Sequence, residues 1–269
     1  MNILETNLYS PELNILKKIR IYLPKSYLNS DKRYSVLYMH DGQNLFSNSI
    51  NSFGGKTWEV DKILEKYEEK GVELIVIGMD NTILPNERYN EYSPWINSVL
   101  PVIKEHNKIV GDIGGKGERY SNFVIKTLKP YIDSMFRTLP DYENTFIAGS
   151  SMGAFISLYI ALENPNIFSK VGLFSIATWF AEKEMLNFIE TKDIPKDMKI
   201  YLDIGTKETS CDSILEFSKI YLDGFEKVRE SIIKKIDKDN FLDIIEKEAE
   251  HNETAWNRRF PIFLDFILK

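Results

Sequence analysis

The chain has 269 residues, 43% of them hydrophobic and 28% charged, a balance that excludes a disordered or low-complexity protein. Its 34 basic and 40 acidic side chains leave a formal charge of −6 and a pI near 5.3, which argues against a nucleic-acid or anionic-membrane binder. A single cysteine, Cys211, excludes an intramolecular disulfide and a cysteine-based zinc site.

The opening MNILETNLYSPEL lacks the basic head and apolar run of a signal peptide. No apolar stretch approaches the ~20 residues of a membrane helix; the longest is VGLFSIATWFA, 171–181. The expectation is a cytoplasmic protein with no membrane partner. LNILKKIRIYLP (13–24) alternates apolar and polar residues near its end, as a strand with one wet face does. YSVLYMHD (34–41), VELIVIGMD (72–80) and NTFIAGS (144–150) are nearly continuous apolar runs, the pattern of parallel strands covered on both faces. KVGLFSIA (170–177), KIYLDIG (199–205) and FLDIIEKEA (241–249) complete the set.

Helical periodicity lies between them. TWEVDKILEKYEEKG (57–71) puts Val60, Ile63, Leu64 and Tyr67 on one face. The stretch 118–139 carries a similar stripe, and Pro130 is expected to kink or split it. Further helices are expected over 152–165, over 212–235 and, in two parts around Pro261, over 254–269. Strand alternating with helix at this spacing predicts an α/β fold with a mostly parallel sheet. No linker or repeat divides the chain, so 1–269 reads as one domain. The least regular stretch, 81–116, is expected to be a loop or lid over the site. Its GDIGGKG (111–117) lacks the spacing of a phosphate loop.

Gly149-Ser150-Ser151-Met152-Gly153 reads G-x-S-x-G, between an apolar strand and a helix. That is the context of a nucleophile elbow, in which a serine sits on a sharp strained turn and glycines two residues either side relieve crowding. The nucleophile would be Ser151. In such folds acid and histidine follow the serine in that order. Of three histidines only His251 follows Ser151, just past the last expected strand. The acid falls between them, and KIYLDIGTKETSCD (199–212) offers Asp203, Glu208 and Asp212. Asp203 lies within the expected strand. Glu208, on the loop beyond it, is the preferred candidate and Asp212 the second. The oxyanion needs two backbone N–H groups: one from Met152, the other from Gly42 or Gln43 in the loop after 34–40. His40 reads as a structural residue of that loop.

LYMHDGQNLF (37–46), TWEVD (57–61), NERYNEYSPW (86–95), FIAGSSMGA (146–154), YLDIGTKE (201–208) and HNETAW (251–256) together resemble the "Putative esterase" family of the α/β-hydrolases, in order and over nearly the whole chain. That family includes enterochelin, feruloyl and acetylxylan esterases. The resemblance implies an α/β-hydrolase fold, a mostly parallel central sheet with helices on both faces. It implies Ser151 as nucleophile, His251 as base and, through Gly205-Thr206-Lys207-Glu208, Glu208 as acid. The reaction expected is hydrolysis of a small-molecule carboxylic ester through an acyl-enzyme, without cofactor or metal. The alternatives are an acyltransferase with the same triad and a non-catalytic binding module on this scaffold. The family's oxyanion loop often has more glycine than HDG, and a charged Asp41 there would oppose an oxyanion unless turned away or paired. Arg88, Tyr92 and Trp95 are candidate substrate contacts, Arg88 as a clamp for a carboxylate or catecholate. The competing reading pairs Arg88 with Glu91 to brace the loop and puts Trp95 in the core.

Overall fold

Eight strands form one sheet in the spatial order β1-β2-β4-β3-β5-β6-β7-β8. They are β1 (Ile3–Ser10), β2 (Ile15–Tyr22), β3 (Ser35–His40), β4 (Leu74–Met79), β5 (Thr145–Ser150), β6 (Lys170–Phe174), β7 (Lys199–Lys207) and β8 (Phe241–Glu250). The computed structural model describes residues 3–47, 55–82, 84, 86–97, 111–212 and 214–268. β2 runs antiparallel to both β1 and β4, and β4-β3-β5-β6-β7-β8 pair parallel throughout.

The helices are α1 (Val60–Glu68), α2 (Glu87–Glu91), α3 (Gly117–Asn122), α4 (Lys129–Met135), α5 (Met152–Glu163), α6 (Glu182–Thr191), α7 (Phe217–Ile233) and α8 (Glu253–Ile267). They cover both faces. Tyr38 of β3 and Ile147 of β5 point into one core with Phe155, Met185 and Phe225 of α5, α6 and α7. Leu37 and Met39, with Phe146 and Ala148, point into the other, against α1 and α8. Successive side chains of a strand face opposite ways, so strands covered on both sides must be apolar at every position. That is why these segments read as unbroken apolar runs.

β1 and α8 depart from the sequence expectation, as do α2 and α6, where no helix was expected, whereas a break at Pro130 was expected. β1 is a strand where no element was predicted. It pairs antiparallel with β2 at the sheet edge, through a tight turn over 11–14, and most of its side chains are exposed or half-buried. Pro130 does break the α-helical ladder, through a π-helical stretch, Phe123–Leu128, that joins α3 to α4. A widened turn accommodates a residue that lacks an N–H and crowds the preceding carbonyls. Pro261 does not divide α8, which runs continuously through it. Trp256, Phe260, Phe263 and Leu264 lie on both sides of the proline and are all buried, so one core anchors the two halves. Among the described residues no helix is long and apolar enough to cross a membrane.

Candidate active site

β5 delivers the chain to Ser151, which adopts φ 57° and ψ −123° before α5 begins at Met152. A side chain in that region is strained by ~1–3 kcal/mol and persists only where its surroundings hold it. Three hydrogen bonds do so. The Ser151 N–H donates to the Phe174 carbonyl at 2.9 Å, and the Ser151 carbonyl accepts from Phe155 at 3.1 Å and Ala177 at 3.2 Å. The two glycines answer a close approach: a Cβ on Gly149 would sit 2.6 Å from the Gly153 carbonyl carbon. Strand and helix cross there with no room for a side chain.

His251 follows β8. Its Nδ1 lies 2.5 Å from Oε2 of Glu208. The ring meets Trp256 edge to face at 5.0 Å and packs on Tyr221 at 4.9 Å. Nε2 faces the Tyr221 hydroxyl at 3.4 Å.

Glu208 is fully buried. Its Oε1 accepts from the Ser175 hydroxyl at 2.6 Å and the Gly205 N–H at 2.7 Å. Burial pushes the carboxyl up, but His251, Ser175 and Arg259 outweigh it and hold Glu208 below the ordinary glutamate range. The Ser175 hydroxyl also accepts from the Trp256 indole at 2.9 Å and from Arg259 at 3.0 Å. Asp203, likewise buried in β7, binds the Ser175 N–H at 3.0 Å and the Tyr201 hydroxyl at 2.8 Å. Burial raises its carboxyl to about 7, against the pull of Arg259. Asp212 is exposed.

After β3 the chain turns through Asp41 in a left-handed conformation, φ 56° and ψ 47°, into a short 3-10 turn over Gly42–Asn44. A Cβ on Gly42 would meet Gly78 at 2.6 Å, so this loop lies directly on β4. His40 is buried and bound through Nδ1 to the Tyr120 hydroxyl at 2.9 Å. Burial lowers it to about 3, so it stays neutral. Asp41 is paired: Arg88 donates to its two oxygens at 2.9 and 2.8 Å. Burial again pushes the carboxyl up, and Arg88 and Asn81 reverse this, holding Asp41 below the usual range.

Ser151, His251, Asp41, Asn44, Arg88, Tyr89, Ser210, Glu253 and Trp256 line one cavity of about 390 Å³. Arg88 thus reaches the pocket, with its guanidinium on Asp41 rather than Glu91. Glu91 instead pairs with the buried Lys17 at 2.6 Å. Tyr92 is fully buried, with its hydroxyl on Asp41. Trp95 packs edge-on against Phe155, Tyr159 and Phe188. Neither lines the cavity. Of the 81–116 segment, residues 83, 85 and 98–110 lie outside the described residues. Ser175, Tyr221 and Arg259 escaped the sequence reading. Only Arg259 left a signal, a charge three residues after Trp256 on the apolar stripe of α8.

The strand order, the strained serine at the end of β5 and the histidine–carboxylate pair beside it define an α/β-hydrolase. The "Putative esterase" family model matches residues 10–266, and the chain belongs to that family of carboxylic-ester hydrolases. It is 24% identical to the uncharacterized protein YbbA of Bacillus subtilis, over 93% of this chain and 92% of that protein. An endo-1,4-beta-xylanase/feruloyl esterase of Xylanibacter ruminicola is 29% identical over 213 residues, 77% of this chain and 25% of that protein. The structure of an IroE-like serine hydrolase from Shewanella oneidensis superposes with a TM-score of 0.74 at 19% identity, over 98% of this chain and 78% of that one.

Proposed function

We propose that ester hydrolysis here runs through a Ser151–His251–Glu208 triad and an acyl-enzyme. The observation that carries this reading is a serine in a strained turn sharing one cavity with an imidazole whose Nδ1 lies 2.5 Å from a buried carboxylate. Ser151 Oγ attacks the ester carbonyl as His251 Nε2 takes its proton. Glu208 keeps Nε2 free to act and stabilises the imidazolium that forms. The N–H groups of Met152 and of Gly42 or Gln43 receive the oxyanion. The proton then passes to the leaving alcohol, and water repeats the sequence on the acyl group. Nε2 must turn from the Tyr221 hydroxyl to Ser151 Oγ, a contact that tightens when substrate fills the pocket.

The segment after β4 forms one wall of the pocket in this reading, since Arg88 and Tyr89 line it beside Ser151. One sheet carries every triad candidate, which supports reading 1–269 as a single domain. The likeness to the xylanase/feruloyl esterase makes hydroxycinnamoyl esters the first substrates to screen. The test is Ser151→Ala, which should abolish both turnover of p-nitrophenyl esters and labelling by a fluorophosphonate. Retained labelling, or loss on Ser150→Ala instead, would overturn the assignment.

A further inference from the structure

Asp41 poses a problem for the proposed chemistry. It directly precedes Gly42 and Gln43, the candidate oxyanion donors, and it abuts the elbow: a Cβ on Gly153 would come within 3.4 Å of its Oδ2. Asp41 is buried, and its carboxyl is held in its charged form. An uncompensated negative charge about 6 Å from a developing oxyanion slows the reaction about 100-fold at an effective dielectric of ~20.

The surroundings of Asp41 meet that cost. Arg88 gives it two N–H···O bonds, from Nε to Oδ1 and from an Nη to Oδ2. Asn81 donates to Oδ1 at 2.5 Å and the Tyr92 hydroxyl reaches the same oxygen at 3.3 Å. The Asp41 N–H is itself turned to the Tyr92 oxygen at 3.1 Å. Arg88 is firmly presented. Lys17 anchors α2 through Glu91, Lys116 holds Glu87 at 2.6 Å, and Tyr89 stacks on Phe180 at 5.6 Å. The Arg88 guanidinium lies 5.2 Å over the Tyr92 ring.

We propose that Arg88 is a positioning residue of the oxyanion loop, cancelling the charge of Asp41 and fixing its left-handed turn. The Nε–Nη edge of Arg88 is committed to Asp41 by this parallel pair. This inference rests on the Ser151 mechanism above.

A charge-rescue cycle on p-nitrophenyl acetate, a neutral ester too small to need a clamp, tests it. Arg88→Ala should lower kcat about 100-fold, the cost of one lost oxyanion donor, with KM within about twofold. Adding Asp41→Asn to that variant removes the stranded charge and should recover about tenfold of the loss. Arg88→Lys keeps the charge without the fork, should fall about tenfold in kcat, and carries the test should Arg88→Ala fail to fold. A double variant no faster than Arg88→Ala, or a loss confined to KM, overturns the proposal. Ser151→Ala run alongside separates the two claims. If it is dead while Arg88→Ala is unimpaired, only this inference fails; if it is active, the triad reading fails.

Discussion

On the β3 side of Ser151, buried Asp41 pairs with Arg88 and buried Glu91 with Lys17. On the β6–β8 side one guanidinium serves three carboxylates. Arg259 stands 3.4 Å from Asp203, 3.8 Å from Glu208 and 3.6 Å from Glu246, at ion-pair rather than hydrogen-bond distance. Under the proposed mechanism the two sides face opposite demands. The oxyanion loop must add no negative charge where one develops. The histidine side needs surplus negative charge, because an imidazolium forms there. The surplus is costly in a buried site: burial, with Glu208 adding to it, raises the Asp203 carboxyl.

The heaviest blow to this contrast is removal of the surplus. Glu208→Gln should cut kcat by about 10⁴, because the imidazolium loses its counter-charge and the ring its tautomer. Steady-state kinetics with a circular-dichroism control would check it, and a loss under tenfold would move the acid elsewhere.

Next comes the shared cation. Arg259→Met strands buried carboxylates and should lower the unfolding free energy by about 3–5 kcal/mol at pH 8, read from urea denaturation. The loss should shrink at pH 5, where Asp203 is protonated. A loss equal at both pH values would mean packing, not charge, is what Arg259 supplies.

Asp203 sharpens the contrast through pH. Its folded-state value is raised from 3.8 to about 7, so the folded state holds the proton more tightly. Its contribution to stability is then full below about pH 4, falls as pH rises towards 7, and is flat above. Glu208 and Asp41 act oppositely: their carboxyls are lowered, so their contributions are present above the unfolded values and lost only as pH falls below about 4. Asp203→Asn should flatten the fall in melting temperature between pH 5 and pH 8, and an unchanged slope would assign it to another group. The smallest effect is expected at Asp212→Asn. That side chain is exposed, so kcat should stay within about twofold and stability within ~0.5 kcal/mol.

Much of the fold was legible because burial on both faces writes itself into consecutive residues, as in YSVLYMH and ELIVIGM. The two elbow glycines were legible because a close backbone approach admits no other residue. β1 was not, since an exposed edge strand carries no apolar requirement. Nor was the partner of Arg88. The sequence offered Glu91, one turn away, and tertiary structure brought Asp41 from 47 positions off. Long-range ion pairs leave no periodic trace, so Arg88 kept its place in the pocket wall while its partner changed.

The Ser175 hydroxyl has one proton and three close neighbours. Two of them, the Trp256 indole and the Arg259 guanidinium, can only donate. The proton has a single destination, the Oε1 atom of Glu208. Hydrogen-bond polarity at that point is therefore one-way, with no rotamer of the hydroxyl that reverses it. With Oε1 also taken by the Gly205 N–H, the carboxylate cannot spin to exchange its oxygens. Oε2 is thereby kept on His251, so under the proposed mechanism the aim of the acid does not have to be found again at each turnover.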